Sequence, residues 1–348
     1  MVTTVNAEGV PRAARTLVLT STLPERTRAA HSAWPARAQS DHPCVATSAP
    51  PVRSRLDQDD LERSVTMHAM ESLVTIEWLA DHLGEPDLLV FDCSRFVDMT
   101  IGHEKSGRPA YDREHIPGAA FLELQDDLSD RAAELSYTPL PPEALAAAFG
   151  RLGIGDESRV VLYDNSGSMW AAWAWWLLRS VGFDRAALLP IGVAEWREAG
   201  HPVTAEPTEY PPADLTPAPR PRALADKDEV LAAIGDPAVR LIDVLPQESY
   251  EGLFDMYDRP GHIASAVNEP MAFIDDGGFT LKSADEISSG LRGSPDQRAI
   301  TYCGGGIAAS ASAFAMVRAG YSDVAIYPGS HQEWTKDPVL PMVTGPDP

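Results

Sequence analysis

The 348-residue chain has no run of 18 apolar residues, so nothing in it reads as a membrane span. It is short of positive charge: 28 Lys and Arg stand against 51 Asp and Glu, a formal net charge of −23. A field of that sign repels phosphate backbones and anionic lipid surfaces, which argues against nucleic-acid and membrane partners. Cysteine is scarce. Cys44, Cys93 and Cys303 are odd in number and far apart, so they make neither a disulfide framework nor a Cys-x-x-Cys metal clip. No pattern calls for a cofactor. What is present is ordinary for a globular protein, 44% apolar and 23% charged residues, and at about 150 residues per domain the length suggests two domains. The expectation is a soluble, cytoplasmic protein.

Residues 1–66 stand apart. They hold 8 Arg, no Lys and 7 acids, are rich in Ala, Thr, Ser and Pro, and lack a sustained apolar period. That composition reads as a disordered tail, or as a mis-assigned start with the protein beginning at Met67 or Met70. A targeting segment is the weaker alternative, because Glu8 and Glu25 interrupt it and no signal-peptide core is present. Order is expected from Thr75, a predicted N-cap ahead of Ile76, Leu79, Ala80 and Leu83 at helical spacing. Residues 206–222 hold 6 prolines in 17 positions and read as a semi-rigid linker. They divide a domain at 72–205 from one at 223–343, which opens on Asp226 and Glu229 as a capping pair.

The two halves repeat each other. LLVFD92, HIPGA119, VVLYD164 and the segment closing on Trp196 are answered by VRLID243, HIASA266, AITYC303 and the segment closing on Trp334. Asp164 and Trp196 are 32 apart, Cys303 and Trp334 31. Each half alternates short β-branched strands with helical stretches, the pattern of a mainly parallel α/β sheet flanked by helices. Gly182 and Gly320 close equivalent helices as C′ residues.

Alignment of the halves sets Asp164 opposite Cys303. A strand delivers Cys303 to the carboxyl edge of the sheet, where ligands of open α/β sheets bind. Gly304, Gly305, Gly306, Ile307 and Ala308 then curl into a helix N-terminus. Glycines there let successive N–H groups converge on the sulfur, an anion cradle that should lower the thiol pKa and hold the reactive thiolate.

In these features the chain resembles a tandem rhodanese-family sulfurtransferase, the group of thiosulfate and 3-mercaptopyruvate sulfurtransferases, over roughly residues 72–343. The resemblance implies two rhodanese-like domains, the first without a catalytic cysteine. It implies a ping-pong cycle in which Cys303 takes sulfur from a small anionic donor as a persulfide. A thiol or cyanide, or a thioredoxin-like protein, would accept it. Thiosulfate is the expected donor and 3-mercaptopyruvate its competitor. The chain also departs from the family. Gly305 stands where mercaptopyruvate enzymes carry Ser or Thr, the loop lacks the basic residues of animal thiosulfate enzymes, and Ser249 stands near a usual arginine. An aspartate that helps mercaptopyruvate enzymes falls near Gln125 or Asp126. Arg259, just before Gly261-His262, is the nearest surviving cation and the expected donor grip. The rival function is a non-catalytic persulfide relay fed by a partner protein.

Other candidates read as structural. Phosphatase chemistry would need an arginine six positions after the cysteine, where Ala309 stands. His115 and His262 recur in both halves, so architecture explains them better than catalysis. Trp170, Trp173, Trp175 and Trp176 suit helix packing or the domain seam. Cys93 lacks a glycine cradle. His331 reads equally as a pocket-mouth residue or a surface histidine.

Overall fold

Leu88-Leu-Val-Phe-Asp92 and Arg159-Val-Val-Leu-Tyr163 are apolar almost throughout, as strands covered on both faces of a parallel sheet must be. The computed structural model describes residues 71–98, 103–254, 256–270, 286–287, 291 and 293–348. Residues 1–66, with Cys44, lie outside the described residues.

In the first half, β1 (Leu88–Asp92), β4 (Ala119–Phe121), β5 (Arg159–Tyr163) and β6 (Ala186–Leu188) form a parallel sheet in the order β4-β1-β5-β6. A separate antiparallel hairpin of β2 (Arg95–Asp98) and β3 (His103–Ser106) follows β1 in the chain. In the second half, β7 (Val239–Asp243), β9 (Val267–Asn268), β10 (Arg298–Tyr302) and β11 (Val324–Ile326) repeat that order as β9-β7-β10-β11, again all parallel. A short antiparallel pair, β8 (His262–Ile263) with β12 (Met342–Val343), closes the second half.

Local signals set the helix starts. Thr75 Oγ1 accepts the Trp78 N–H at 3.1 Å ahead of α1 (Ile76–His82), and Asp226 Oδ1 accepts the Glu229 N–H at 2.8 Å ahead of α5 (Lys227–Ala233). Between these, α2 is Pro142–Arg151, α3 Met169–Ser180 and α4 Val193–Glu198; α6 (Ile307–Arg318) and α7 (Ser330–Trp334) follow. The α3 sequence is apolar on every side, which marks a helix with no solvent face. It packs against its own sheet and against α6 of the other half, with the Trp175 and Phe314 rings edge to face at 4.8 Å. The tryptophan run is therefore the seam between the halves.

Residues 206–222 do not span open space. Tyr210 Oη accepts the Val90 N–H at 2.9 Å and donates to Gly118 O at 2.6 Å, and the Ala218 N–H donates to Val181 O at 2.7 Å. The proline-rich segment is a strap laid along the first half. Among the described residues no helix is long and apolar enough to cross a membrane.

Candidate active site

Each sheet ends its second and third strands at one carboxyl edge. Tyr163 pairs with Asp92 there in the first half, Tyr302 with Asp243 in the second. The next residue in each half, Asp164 or Cys303, enters a tight loop that leads into α3 or α6. Cys303 is 3% exposed, and the Gly306 N–H donates to its Sγ at 3.1 Å. Gly306 adopts φ +88°, which turns that N–H inward. Burial pushes the Cys303 thiol up, against the pull of the N–H groups of Ala309, Gly305, Gly306 and Ala308. N–H groups face the sulfur, yet the thiol is pushed up and not down. Removing the sulfur from water costs more than the N–H groups return.

The first half supplies an internal comparison. The Asp164 carboxylate accepts N–H groups from Ser166 (2.7 Å), Ser168 (3.0 Å), Trp170 (3.0 Å) and Ala171 (2.9 Å). Trp170 and Ala171 are the second and third residues of α3, as Ala308 and Ala309 are of α6. Ser168, at φ +67°, and Gly306 occupy the N-cap positions. One backbone nest is thus built twice, holding a carboxylate in one half and a sulfur in the other.

The start of α7 walls the Cys303 loop. Ser330 Oγ accepts the Cys303 N–H at 3.2 Å, the His331 N–H donates to Cys303 O at 3.1 Å, and the Gln332 N–H donates to Gly304 O at 2.9 Å. Tyr257 covers the loop from the other side: a Cβ on Gly304 would lie 2.0 Å from its hydroxyl. The Tyr257 ring stacks on His331, centroids 5.1 Å apart.

Comparison with known proteins fits this geometry. The family model for the rhodanese-like domain matches residues 75–199 and again 226–337. The chain belongs to the rhodanese-like family. A probable 3-mercaptopyruvate sulfurtransferase of Pseudomonas aeruginosa is 37% identical over 284 residues, 78% of this chain and 98% of the relative. A thiosulfate sulfurtransferase of Rattus norvegicus is 32% identical over 278 residues, 76% of this chain and 91% of the relative. The crystal structure of the 3-mercaptopyruvate sulfotransferase SseA from Escherichia coli superposes with a TM-score of 0.66 at 27% identity, covering 74% of this chain and 98% of that one.

Within the rhodanese-like frame, the Arg259 guanidinium is engaged by backbone carbonyls. Its Nη1, Nη2 and Nε donate to the carbonyls of Leu340 (2.8 Å), Trp334 (2.9 Å) and Thr335 (3.1 Å). It ties the end of α7 to the C-terminal segment, and the expectation that it grips the donor is corrected accordingly. Arg108 pairs with Asp112, and Arg113 donates to Pro109 O.

The first rhodanese-like domain brings a group that sequence reasoning missed. Arg95 pairs with Glu123, Ser106 donates to Glu123, and Tyr137 donates to Glu104. The Arg95 guanidinium lies 5.7 Å from the Tyr137 ring centroid and 5.9 Å from that of Trp170. Next to Tyr137, Ser136 O accepts from the Gln332 side chain at 3.0 Å, which brings this group to the wall of the cysteine loop. Glu123, four residues beyond Ala119, and Glu104 supply the carboxylates of this cluster, Gln125 Oε1 accepts the Tyr137 N–H at 3.1 Å, and Asp126 pairs instead with Arg131.

The paired histidines are architectural. His115 stacks on Tyr111 at 3.8 Å with both ring nitrogens against carbonyls, and His262 stacks on Tyr250 at 3.5 Å. Cys93 is fully buried, and burial pushes its thiol well up, so it is an inert core residue. His331 is 1% exposed and is no surface histidine.

Proposed function

We propose that this rhodanese-like protein takes sulfane sulfur from thiosulfate or 3-mercaptopyruvate onto Cys303 and passes it to a thiol or cyanide. In the first half-reaction Cys303 Sγ attacks the donor's outer sulfur. A new S–S bond forms, the bond joining that sulfur to the rest of the donor breaks, and sulfite or the pyruvate enolate departs with the electron pair. In the second, the acceptor attacks the outer persulfide sulfur and Cys303 returns to its nest as the leaving group. The N–H groups that face Sγ stabilise both anionic forms.

The observation that carries the reading is the Cys303 loop itself, whose N–H groups converge where the sister domain holds a carboxylate. Relatives of both donor types span nearly their whole length with this chain, which leaves a relay without a small-molecule donor less supported. A thiol acceptor, such as a reduced thioredoxin-like protein, and a cytoplasmic setting complete the proposal.

Incubation with either donor plus cyanide should release thiocyanate, and Cys303→Ser should abolish it. Donor treatment alone should add about 32 Da to the peptide carrying Cys303. Sulfur recovered on Cys93, or turnover that survives Cys303→Ser, would overturn the assignment.

A further inference from the structure

The nest is built twice, but its anchors differ. In the first half the two residues after Asp164 tie the loop down with their own side chains. Asn165 Oδ1 accepts the Val193 N–H at the start of α4 at 2.8 Å, and Asn165 Nδ2 donates to Ser94 Oγ at 2.7 Å. Ser166 Oγ donates to Arg95 O at 2.6 Å. In the second half the two residues after Cys303 are Gly304 and Gly305, which have no side chain to spend in this way. Neither has a positive φ, so backbone conformation does not call for glycine at either place. Neighbours occupy the room instead. A Cβ on Gly304 would lie 2.0 Å from the Tyr257 hydroxyl, and one on Gly305 would lie 3.3 Å from Nε2 and 3.4 Å from Cδ of Gln332.

The half-buried Gln332 side chain reaches across the seam. Its Nε2 donates to Ser136 O of the first half at 3.0 Å, with Pro328 O at 3.4 Å. Two carbonyls around one atom mark it as the nitrogen of the amide. The Gln332 backbone N–H donates to Gly304 O at 2.9 Å. A second bridge runs beside the first, from Lys336 Nζ to Glu134 Oε1 at 2.8 Å. On the first-half side, Ser136 precedes Tyr137, which donates to Glu104 and packs under the Arg95 guanidinium. The far end of the bridge is therefore itself held.

We propose that Gln332 is a positioning residue for sulfur transfer: it carries the hold of the first half onto the Cys303 loop and so keeps the loop N–H groups on the sulfur. The inference rests on the persulfide reading above. Hydrogen bonds weaken steeply with distance and angle, so N–H groups converge on one atom only while the loop cannot widen. Burial already pushes the Cys303 thiol up against those groups, and a slackened loop should push it up further. The half without the cysteine thus acts on the reaction through the loop, with none of its own groups at the sulfur.

The test uses the full chain. Gln332→Met keeps bulk beside Gly305 and removes the bond to Ser136, Gln332→Ala removes both, and Gly305→Ala puts a methyl group back into the emptied place. Alkylation of Cys303 by iodoacetamide against pH needs no donor. Its midpoint should rise by about 0.5 to 1 pH unit in Gln332→Ala and by less in Gln332→Met. In Gln332→Ala, kcat should fall about tenfold by the same factor for thiosulfate and 3-mercaptopyruvate, with KM within twofold, because the loop serves the sulfur and not the donor. Gly305→Ala should lower kcat in the wild-type background, where its methyl presses on the carboxamide, and raise it in Gln332→Ala. A double-mutant cycle reads that coupling. A lower Tm with alkylation midpoints within about 0.2 unit of wild type in both Gln332 variants would overturn the proposal. So would an effect of Gly305→Ala that is the same in both backgrounds. If the wild-type chain uses neither donor, the sulfurtransferase reading fails, while the alkylation midpoints and their coupling still decide Gln332.

Discussion

Asp164 and Cys303 each stand one residue past the end of an equivalent central strand, and equivalent N-cap, second and third helix positions aim N–H groups at both side chains. The nest is a property of the backbone and serves a carboxylate or a sulfur equally. Charged hydrogen bonds contribute about 1.5–3 kcal/mol each, yet in both halves burial outweighs them and the group is pushed up. What distinguishes the working half is therefore the chemistry of the side chain and of its neighbours, since the cradle is common to both.

Gly306→Ala should injure both stability and turnover. At φ +88° an L side chain is strained by about 1–2 kcal/mol, and a Cβ would lie 3.1 Å from the Pro328 Cα. A fall in Tm of roughly 2–8 °C is expected. The Gly306 N–H would also swing away from Sγ, lowering kcat/KM for thiosulfate by about tenfold or more. Thermal unfolding and the thiocyanate assay check the two effects, and unaltered kinetics would mean that this N–H contributes nothing.

Arg259→Ala should act on stability and spare catalysis. Its guanidinium donates to three backbone carbonyls at the end of α7 and near the C-terminus. Loss of that clasp is expected to cost about 2 kcal/mol, a Tm drop of roughly 4–8 °C. KM for either donor should stay within about twofold, since no binding contact is lost. A tenfold rise in KM with unchanged Tm would restore Arg259 to the donor site.

Asp92→Asn should stabilise the protein at neutral pH. Burial pushes the Asp92 carboxyl from 3.8 to about 6, against hydrogen bonds from Ser94 and the Tyr163 hydroxyl, while the Asp164 charge adds to the rise. Between those values the folded state holds a proton that the unfolded chain has released. Stability from this group is thus full below about pH 4 and lost as pH rises through 6, a change of roughly 3 kcal/mol. The asparagine variant lacks that loss, so its advantage in Tm should be largest at pH 7–8 and vanish near pH 4. A pH-independent difference would contradict the assignment.

The fold was legible because its signals are local and stated twice. Apolar strands ending in Asp, glycines after helices and caps at Thr75 and Asp226 need no knowledge of distant contacts. The Cys303 loop was legible for the same reason, since glycine punctuation reports backbone geometry directly. The net direction of the thiol's shift was not, because desolvation depends on everything packed around the sulfur. Arg259 was misplaced because adjacency to Gly261-His262 says nothing of where a long side chain turns. The Asp243–His331 pair joins residues 88 positions apart. No local signal in either segment reports that contact.

The first-half nest carries a further consequence. Asp164 is a covalently attached ligand that fills its own site at every moment, in the manner of an inhibitor that cannot dissociate. Anionic compounds that compete for the Cys303 cradle should therefore titrate with a stoichiometry of one per chain despite the twofold repetition of the fold. Calorimetry with a sulfite-like anion would count them, and a second binding event of similar affinity would mean that the tethered carboxylate can be displaced.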